Sequence, residues 1–258
     1  MHSVAFHIGP LTIYWYGILA ATGFISAVFL LMLNRRHADM DSEQITDMAM
    51  ICMIAGILGA RIFYVVQFWE LYRDKPFSII RIDQGGLVFF GGFICSTASI
   101  IVYCRWKKLN MLNVLDMFGP SLAIAHFFGR IGCFMNGCCY GKPSNLPWAV
   151  QFPNGSAPAE AFPGMTLHPV QLYESAFNLV LAAVLLFLMK RMRPGQIAAT
   201  YLICYGIGRF SIESLRGDHH QFIMDKFTVS QSIGFFVAIA GIALMVYTNK
   251  KWRGKQNA

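Results

Sequence analysis

The sequence predicts an all-α, polytopic membrane protein: about seven transmembrane helices carrying a small head outside the bilayer. Three observations predict it. Apolar residues of the AVILMFWYC set make up 56% of the 258 residues and charged residues only 13%, about half the usual charged share of a soluble domain. The apolar residues fall in membrane-length runs. Basic residues gather at alternate connections between those runs. With a mean hydropathy of +0.50, the chain is excluded from the disordered class, which needs low hydrophobicity and high charge. A water-soluble globule of this size lacks the polar surface to cover so many apolar groups.

Seven runs are expected to span, at residues 11–33, 47–69, 86–104, 114–128, 170–189, 197–212 and 229–248. The first lacks the basic flank and small-residue cleavage site of a removable signal. Tyr14, Trp15 and Tyr16 lie near its start, where amphipathic rings favour the interface. The fourth and sixth runs are short, at about three to four apolar turns.

Charge then sets orientation. Arg35 and Arg36 follow the first run, Arg105, Lys107 and Lys108 the third, Lys190, Arg191 and Arg193 the fifth, and Lys250, Lys251, Arg253 and Lys255 the last. The opposite connections carry Arg73, Lys75, Arg81, Arg130, Lys142, Arg216 and Lys226, spread over longer stretches. The positive-inside rule places the C-terminus in the cytoplasm and, with an odd number of spans, the N-terminus outside. Basic ends beside anionic lipid account for the +8 net charge, and no nucleic-acid partner is required. The connection at about 129–168 is rich in Gly, Pro and Asn and carries Trp148, Phe152 and Phe162. It reads as a folded cap on the outer surface of a single membrane domain, with no repeat of 20–50 residues.

Ionisable groups at membrane depth cost about 2.5–3.5 kcal/mol each on insertion scales and ask for partners. Arg61 stands within GILGARIFYVV, Arg130 within HFFGRIGCFMNGCCYGK, and Arg209 and Glu213 within YGIGRFSIESLRGD. Arg209 and Glu213 share one helical face as an i, i+4 pair, either as an internal ion pair or facing a ligand. Arg61 reads either as a partner for a buried carboxylate or backbone carbonyls, or as part of an anion site. A planar guanidinium stays charged when desolvated and donates two parallel hydrogen bonds, the geometry a phosphate accepts. Several such groups near a membrane surface suggest a phospholipid headgroup site. Gly129, Gly132, Gly137 and Gly141 flank Arg130, Asn136 and Tyr140, and glycine lets backbone N–H groups approach an anion. Gly85, Gly86, Gly91 and Gly92 open the third run and read as helix-packing positions.

These motifs carry a resemblance. GRIGCFMNGCCYG, then HPVQLYES, then YGIGRFSIESLRGD, preceded in order by IYWYGILAATGF, GARIFYVV and GGLVFFGG, resemble the phosphatidylglycerol–prolipoprotein diacylglyceryl transferase family over nearly the whole chain. The resemblance implies a bacterial inner-membrane protein of about seven spans with a periplasmic head. It implies transfer of a diacylglyceryl group from phosphatidylglycerol to the thiol of the lipobox cysteine in a preprolipoprotein signal peptide, giving a thioether and releasing glycerol 1-phosphate. Arg130 matches the signature arginine and Arg209 the second essential one. Arg61, Asn136, Gly141, His168, Gln171, Tyr205, Glu213 and Arg216 match motif positions and are expected to bind substrate. Tyr16 matches as well and is expected beside the reacting groups; Asp116, Tyr173 and Glu174 also fall at motif positions. The sequence departs from the pattern at Phe90, where the family has a histidine, at Cys133, where it has an asparagine, and at Cys138 and Cys139 after Asn-Gly.

The reaction so implied displaces a phosphate ester from a glycerol carbon by a thiol. Arg130 and Arg209 are expected to stabilise the charge gained by the leaving phosphate, and Tyr16 and Tyr205 to hydrogen-bond the glycerol or its esters. Asn136 and Glu213 are expected to position the headgroup or the arginines. No metal or diffusible cofactor is required. His126, one helical turn before Arg130, is expected to handle the thiol proton in place of the residue lost at Phe90. Three readings of Cys133, Cys138 and Cys139 stay open: a disulfide from Cys133 to one of the other two, a zinc or copper site shared with His126, and free packed thiols. Cys52, Cys95, Cys104 and Cys204 read as small apolar residues. A non-catalytic lipid-binding or transport protein is the remaining class.

Overall fold

The computed structural model describes residues 3–9, 11–73, 76–81, 85–218, 222–223 and 227–256; Lys75 and Lys226 lie outside them. Seven long helices occur among the described residues: α1 (Trp15–Asn34), α2 (Ser42–Gln67), α3 (Phe89–Trp106), α4 (Met111–Asn136), α6 (Val170–Met189), α7 (Gln196–Glu213) and α8 (Val229–Gln256), with a short α5 (Ala157–Ala161). Five of them, α1, α2, α4, α6 and α8, are long and apolar enough to cross a membrane. The strands are three antiparallel hairpins, β1 (Val4–Ile8) with β2 (Leu11–Tyr14), β3 (Val150–Gln151) with β4 (Thr166–Leu167), and β5 (Phe222–Ile223) with β6 (Phe227–Thr228). The protein is thus an all-α integral membrane protein. Large apolar side chains point outward on the long helices: Ile25, Phe29, Val66, Val102, Phe187 and Phe236 are each more than half exposed. A lipid solvent explains that exposure, and water does not.

Two boundaries differ from the sequence expectation. The first run begins as a strand, because Thr12, Ile13 and Tyr14 are β-formers that pair with His7, Phe6 and Val4. The fourth helix runs to Asn136, so Arg130 stands inside it and not after it. The connection to α6 accordingly starts at Gly137, whose φ of +72° ends the helix.

The chain divides into two compact units, Met1–Leu31 with Leu115–Ala258, and Met32–Val114. In the second unit α2 starts at a capping box on Asp41 and Gln44 and packs closely on α3. A Cβ on Gly91 would stand 2.5 Å from the Gly59 carbonyl oxygen, and one on Gly56 2.7 Å from Ser96 Oγ. The packing role read for Gly91 and Gly92 therefore holds. Gly85 and Gly86 instead adopt φ of +78° in the segment leading to α3 and turn their carbonyls to Arg61.

In the first unit α6 explains the layout. Its buried residues, Val170, Gln171, Glu174, Ser175, Asn178, Leu181, Ala182, Leu185 and Met189, recur at helical spacing. The stripe is polar in its first half and apolar in its second. The apolar half builds the core with Ala123, Ile197 and Tyr201; the polar half faces the site. Asp116 of α4 accepts from the backbone N–H of Gly195 (2.6 Å) and Ala198 (2.8 Å), capping α7 from another helix. Small residues set the remaining contacts. A Cβ on Gly206 would stand 2.5 Å from the Gly234 carbonyl oxygen, so α7 and α8 touch backbone to backbone, and one on Gly132 would stand 3.2 Å from the Tyr16 ring, so α1 lies along α4.

Candidate active site

The polar residues collect at one end of the first unit: the C-terminal ends of α4 and α7 and the N-terminal ends of α1, α6 and α8. Glu174, one turn into α6, receives both arginines. Arg130 Nε of α4 and a terminal nitrogen of Arg209 of α7 each pair with one of its carboxylate oxygens. Arg209 continues to Glu213 (2.9 Å) and donates to Ser230 Oγ of α8 (3.1 Å). Glu213 pairs with Arg216 (3.1 Å), and Arg216 grips Asp218 through two bonds of 2.9 Å. Thr228 donates to Glu213 at 3.4 Å. Cation and anion alternate from Arg130 to Asp218, so burial of each charge is compensated by a partner. The row is open at one end. The Arg130 side chain is 21% exposed against 12% for Arg209, 6% for Glu174 and 1% for Glu213, and its two terminal nitrogens make no hydrogen bond among the described residues. Burial works against the charge of Arg216, which lies beyond the helix, but the Asp218 hydrogen bond and the neighbouring Cys139, Asp218 and Glu213 hold its pKa above the usual value.

The thiols lie beside this row. Cys133 occupies the last turn of α4, and Cys138 and Cys139 follow Gly137; their three sulfurs lie within 4.8 Å of one another. Hydrogen bonds from Cys133 and Cys139, with a further one from Asn136, outweigh burial and lower the pKa of Cys138. All seven cysteines are free thiols. The cluster opens on a cavity of about 980 Å³ lined by Tyr16, Asn136, the three cysteines and apolar residues of the α1 end, including Ile13, Ile18 and Ala21.

The other expected residues divide into those beside the cavity and those that shape the loop. Gln171, fully buried, donates to the Cys138 carbonyl oxygen at 2.8 Å. Gly141 bridges Arg216, and a Cβ there would collide with the His168 backbone. The Lys142 N–H bonds the Leu215 carbonyl oxygen (2.8 Å) and the Gly217 N–H that of Tyr140 (2.9 Å), tying the loop to the end of α7. His168 contacts the Tyr173 hydroxyl at 3.3 Å, and that hydroxyl accepts from Trp148. Tyr140 belongs to the small core of the head with Phe152 and Leu167, and burial, helped by Asp218, raises its pKa. His126 stacks on Tyr205 at 5.1 Å and meets the Tyr201 hydroxyl at 3.4 Å; it is not grouped with the three thiols, so a shared four-residue metal set is not formed.

For Arg61 the backbone-carbonyl alternative holds, and the expected role in binding substrate is corrected. It lies in the second unit and directs all five donors to backbone carbonyls: Ile79 (2.7 Å), Gly85 (2.8 Å), Gly86 (3.1 Å), Ser78 (2.8 Å) and Arg81 (3.0 Å). Its guanidinium also stands 5.3 Å from the Tyr72 ring centre. No donor is left for a phosphate, and Arg61 holds the loop before α3.

A family model described as prolipoprotein diacylglyceryl transferase matches residues 3–247. The chain belongs to that family. Among its relatives, the phosphatidylglycerol–prolipoprotein diacylglyceryl transferase of Clostridium tetani is 38% identical over 94% of this chain and 96% of the relative. Those of Finegoldia magna, at 34% over 97% of both chains, and Synechococcus elongatus, at 32% over 93% and 85%, carry the same name. Seen as a member of this diacylglyceryl transferase family, the chain has one central residue that reasoning from charge at membrane depth left out. Glu174 sits in the HPVQLYES motif and joins the two arginines. The signal was available: a carboxylate in an apolar run needs cations as much as the reverse. Ser230 and Thr228 gave no signal, since hydroxyls are common at helix starts.

Proposed function

We propose that the protein transfers the diacylglyceryl group of phosphatidylglycerol to the lipobox cysteine thiol of a preprolipoprotein, forming a thioether and releasing glycerol 1-phosphate. The observation that carries this reading is the meeting of Arg130 and Arg209 on one buried carboxylate, Glu174. The phosphodiester docks on the open donors of Arg130, with Arg209 behind. As the thiol attacks the glycerol carbon, the leaving phosphate gains charge beside guanidinium groups already in place, which lowers the barrier because the field is fixed before the reaction. Tyr16 and Asn136 line the adjoining cavity and meet the glycerol or its esters. Tyr205, held between His126 and Tyr201, is a second hydroxyl for the same task. Gly141, His168, Gln171, Glu213 and Arg216 position the loop and the arginines.

The apolar wall formed by Ile13, Ile18 and Ala21 suits acyl chains, which gain nothing by leaving lipid, so phosphatidylglycerol enters sideways from the bilayer. The basic residues Lys190, Arg191 and Lys250 lie towards the ends of α6 and α8 opposite the site. By the positive-inside rule this supports a site on the periplasmic face of the inner membrane, a periplasmic N-terminus and a cytoplasmic C-terminus. Seven spans, with α3 and α7 added to the five apolar helices, and a periplasmic head beginning at Gly137 complete one membrane domain.

The test is direct. Purified protein in phosphatidylglycerol vesicles is given a lipobox peptide, and the peptide mass is followed. Gain of one diacylglyceryl group, lost in R130A, is expected; an unchanged mass in active-folded protein, or full turnover by R130A, overturns the reading. H126Q decides the proton: abolished transfer assigns it to His126, and near-normal turnover removes that role.

A further inference from the structure

We propose that Cys133, Cys138 and Cys139 hold a thiophilic divalent cation, zinc, whose fourth coordination position takes the thiol of the incoming lipobox cysteine as a thiolate. The inference rests on the transferase reading above and deepens it by naming what activates the acceptor.

The three sulfurs already lie within 4.8 Å of one another. Thiolates on a tetrahedral zinc, at about 2.3 Å from the metal, stand roughly 3.8 Å apart, so about 1 Å of side-chain rotation closes the set. The ligands rest on fixed elements. Cys133 is held in the last turn of α4, which Gly132 packs against Tyr16. The left-handed Gly137 folds the chain back so that the Cys138 N–H reaches the Cys133 carbonyl oxygen at 3.1 Å. Gln171 pins the Cys138 carbonyl from α6. Cys139 adopts φ +60°, a left-handed conformation that costs a non-glycine residue free energy, and in that conformation its sulfur stands with the other two.

Charge points the same way. No carboxylate or imidazole lines the cavity among the described residues. Arg216 is engaged with Glu213 and Asp218, and the open donors of Arg130 are those proposed for the phosphate. Three cysteine sulfurs so close together are a soft donor set that a thiophilic cation binds as thiolates. All three cysteines line the cavity of about 980 Å³, which leaves room for a fourth ligand on that side. Three protein ligands with one open position is the pattern of catalytic zinc, whereas structural zinc is closed by four.

That open position answers the chemical need. A free thiol with pKa near 8.5 is only a few per cent thiolate at neutral pH, and the cavity offers it no base. Coordination removes the proton outright, and the proton leaves to water. The bound sulfur then forms a bond to the glycerol carbon while the carbon–oxygen bond to phosphate breaks. The bond pair departs on glycerol 1-phosphate, and nothing is oxidised or reduced. The thioether product is a weaker ligand than the thiolate and leaves the metal.

The experiment uses the full chain purified in detergent without added thiol. Elemental analysis is expected to find about one zinc per chain, falling to near none in C139S and remaining in C52S, which changes a cysteine outside the cluster. Cobalt exchanged for zinc is expected to show thiolate charge-transfer and tetrahedral visible bands that shift when a lipobox peptide is added and do not shift with its serine analogue. Chelation of the metal is expected to lower turnover on the order of 10²–10⁴-fold, the range of a lost general base. Diacylglyceryl transfer by protein free of metal and indifferent to chelator overturns the inference and leaves the transferase reading standing. A Cys133–Cys138 disulfide in protein taken from membranes, or a cobalt spectrum blind to the cysteine peptide, also overturns it. Zinc with a peptide-dependent cobalt shift, in a preparation that leaves phosphatidylglycerol intact, supports the metal site and removes the transferase reading.

Discussion

Glu174→Gln is the sharpest perturbation of the site, because one carboxylate serves two guanidinium groups. The amide keeps the size of the side chain and one acceptor oxygen but turns an N–H₂ donor toward the other arginine. Arg209 retains Glu213 at 2.9 Å and Ser230 at 3.1 Å, whereas Arg130 has no second partner among the described residues. Arg130 is therefore the group released. Removing one partner of a buried ion pair costs about 3–5 kcal/mol; Arg130 is a fifth exposed, so the lower end, about 3 kcal/mol, is expected in the unfolding free energy. Displacement of a substrate-orienting group by about 1 Å costs on the order of 10²-fold in rate. Turnover of a lipobox peptide in phosphatidylglycerol vesicles is expected to fall by that factor, with kcat reduced more than KM is raised. The cycle with R130Q separates position from mere stability. If Glu174 acts through Arg130, the double variant R130Q/E174Q is no slower than R130Q alone. Wild-type turnover and an unchanged unfolding midpoint for E174Q would refute the reasoning, as would fully additive losses in the double variant.

Three further outcomes are expected. R61K lowers thermal stability by at least about 1.5–3 kcal/mol, the worth of one hydrogen bond to a charged group, because an ammonium cannot reach five carbonyls; KM for phosphatidylglycerol, measured on the folded fraction, stays unchanged. G206A drives a methyl into the Gly234 carbonyl and costs about 1–3 kcal/mol as overpacking; turnover falls with it, since α8 carries Ser230 away from Arg209. D116N keeps one acceptor for two N–H groups and costs about 1–2 kcal/mol, the value of a helix cap, read by thermal unfolding, with little change in kcat.

Helix positions were legible because a bilayer imposes a length on apolar runs, and the fifth run coincides with α6 at both ends. Helix ends were not, for a physical reason that differs at each. Residues 11–14 pass for the start of a span, but Thr12, Ile13 and Tyr14 are β-formers whose backbone pairs with the N-terminal strand. Gly129, Gly132 and Asn136 look like turn residues, yet Gly132 stays helical because its missing side chain lets α1 approach. Arg130 and Arg209 were visible because a charge at membrane depth must be answered. What answers Arg61 left no trace in the sequence, since its partners are backbone carbonyls between Ser78 and Gly86 that any residues supply. Proximity of the three thiols was only half legible: CxxxxCC fixes their spacing along the chain, while the left-handed turns at Gly137 and Cys139 that gather them are tertiary choices.

With the phosphate placed at Arg130 as proposed, the alternating charges favour one of its two states over the other. Two bare arginines at membrane depth would each carry a desolvation cost of several kcal/mol and would hold a dianionic product tightly. With Glu174 between them and Glu213, Arg216 and Asp218 beyond, three cations alternate with three anions; the row is neutral as a whole and presents Arg130, its most exposed arginine, to the single negative charge of a phosphodiester. When the ester bond to the diacylglyceryl carbon breaks, a second negative charge grows at the open end of the row. A unit charge 4 Å from a guanidinium gains on the order of 4 kcal/mol at an effective dielectric near 20, equivalent to roughly 10³ in rate. That gain arises only as the bond breaks, so it lowers the barrier without deepening the ground state. The anionic side chains stand behind Arg130, more buried than it is, and so they temper the hold on the product while leaving the approach for substrate positive.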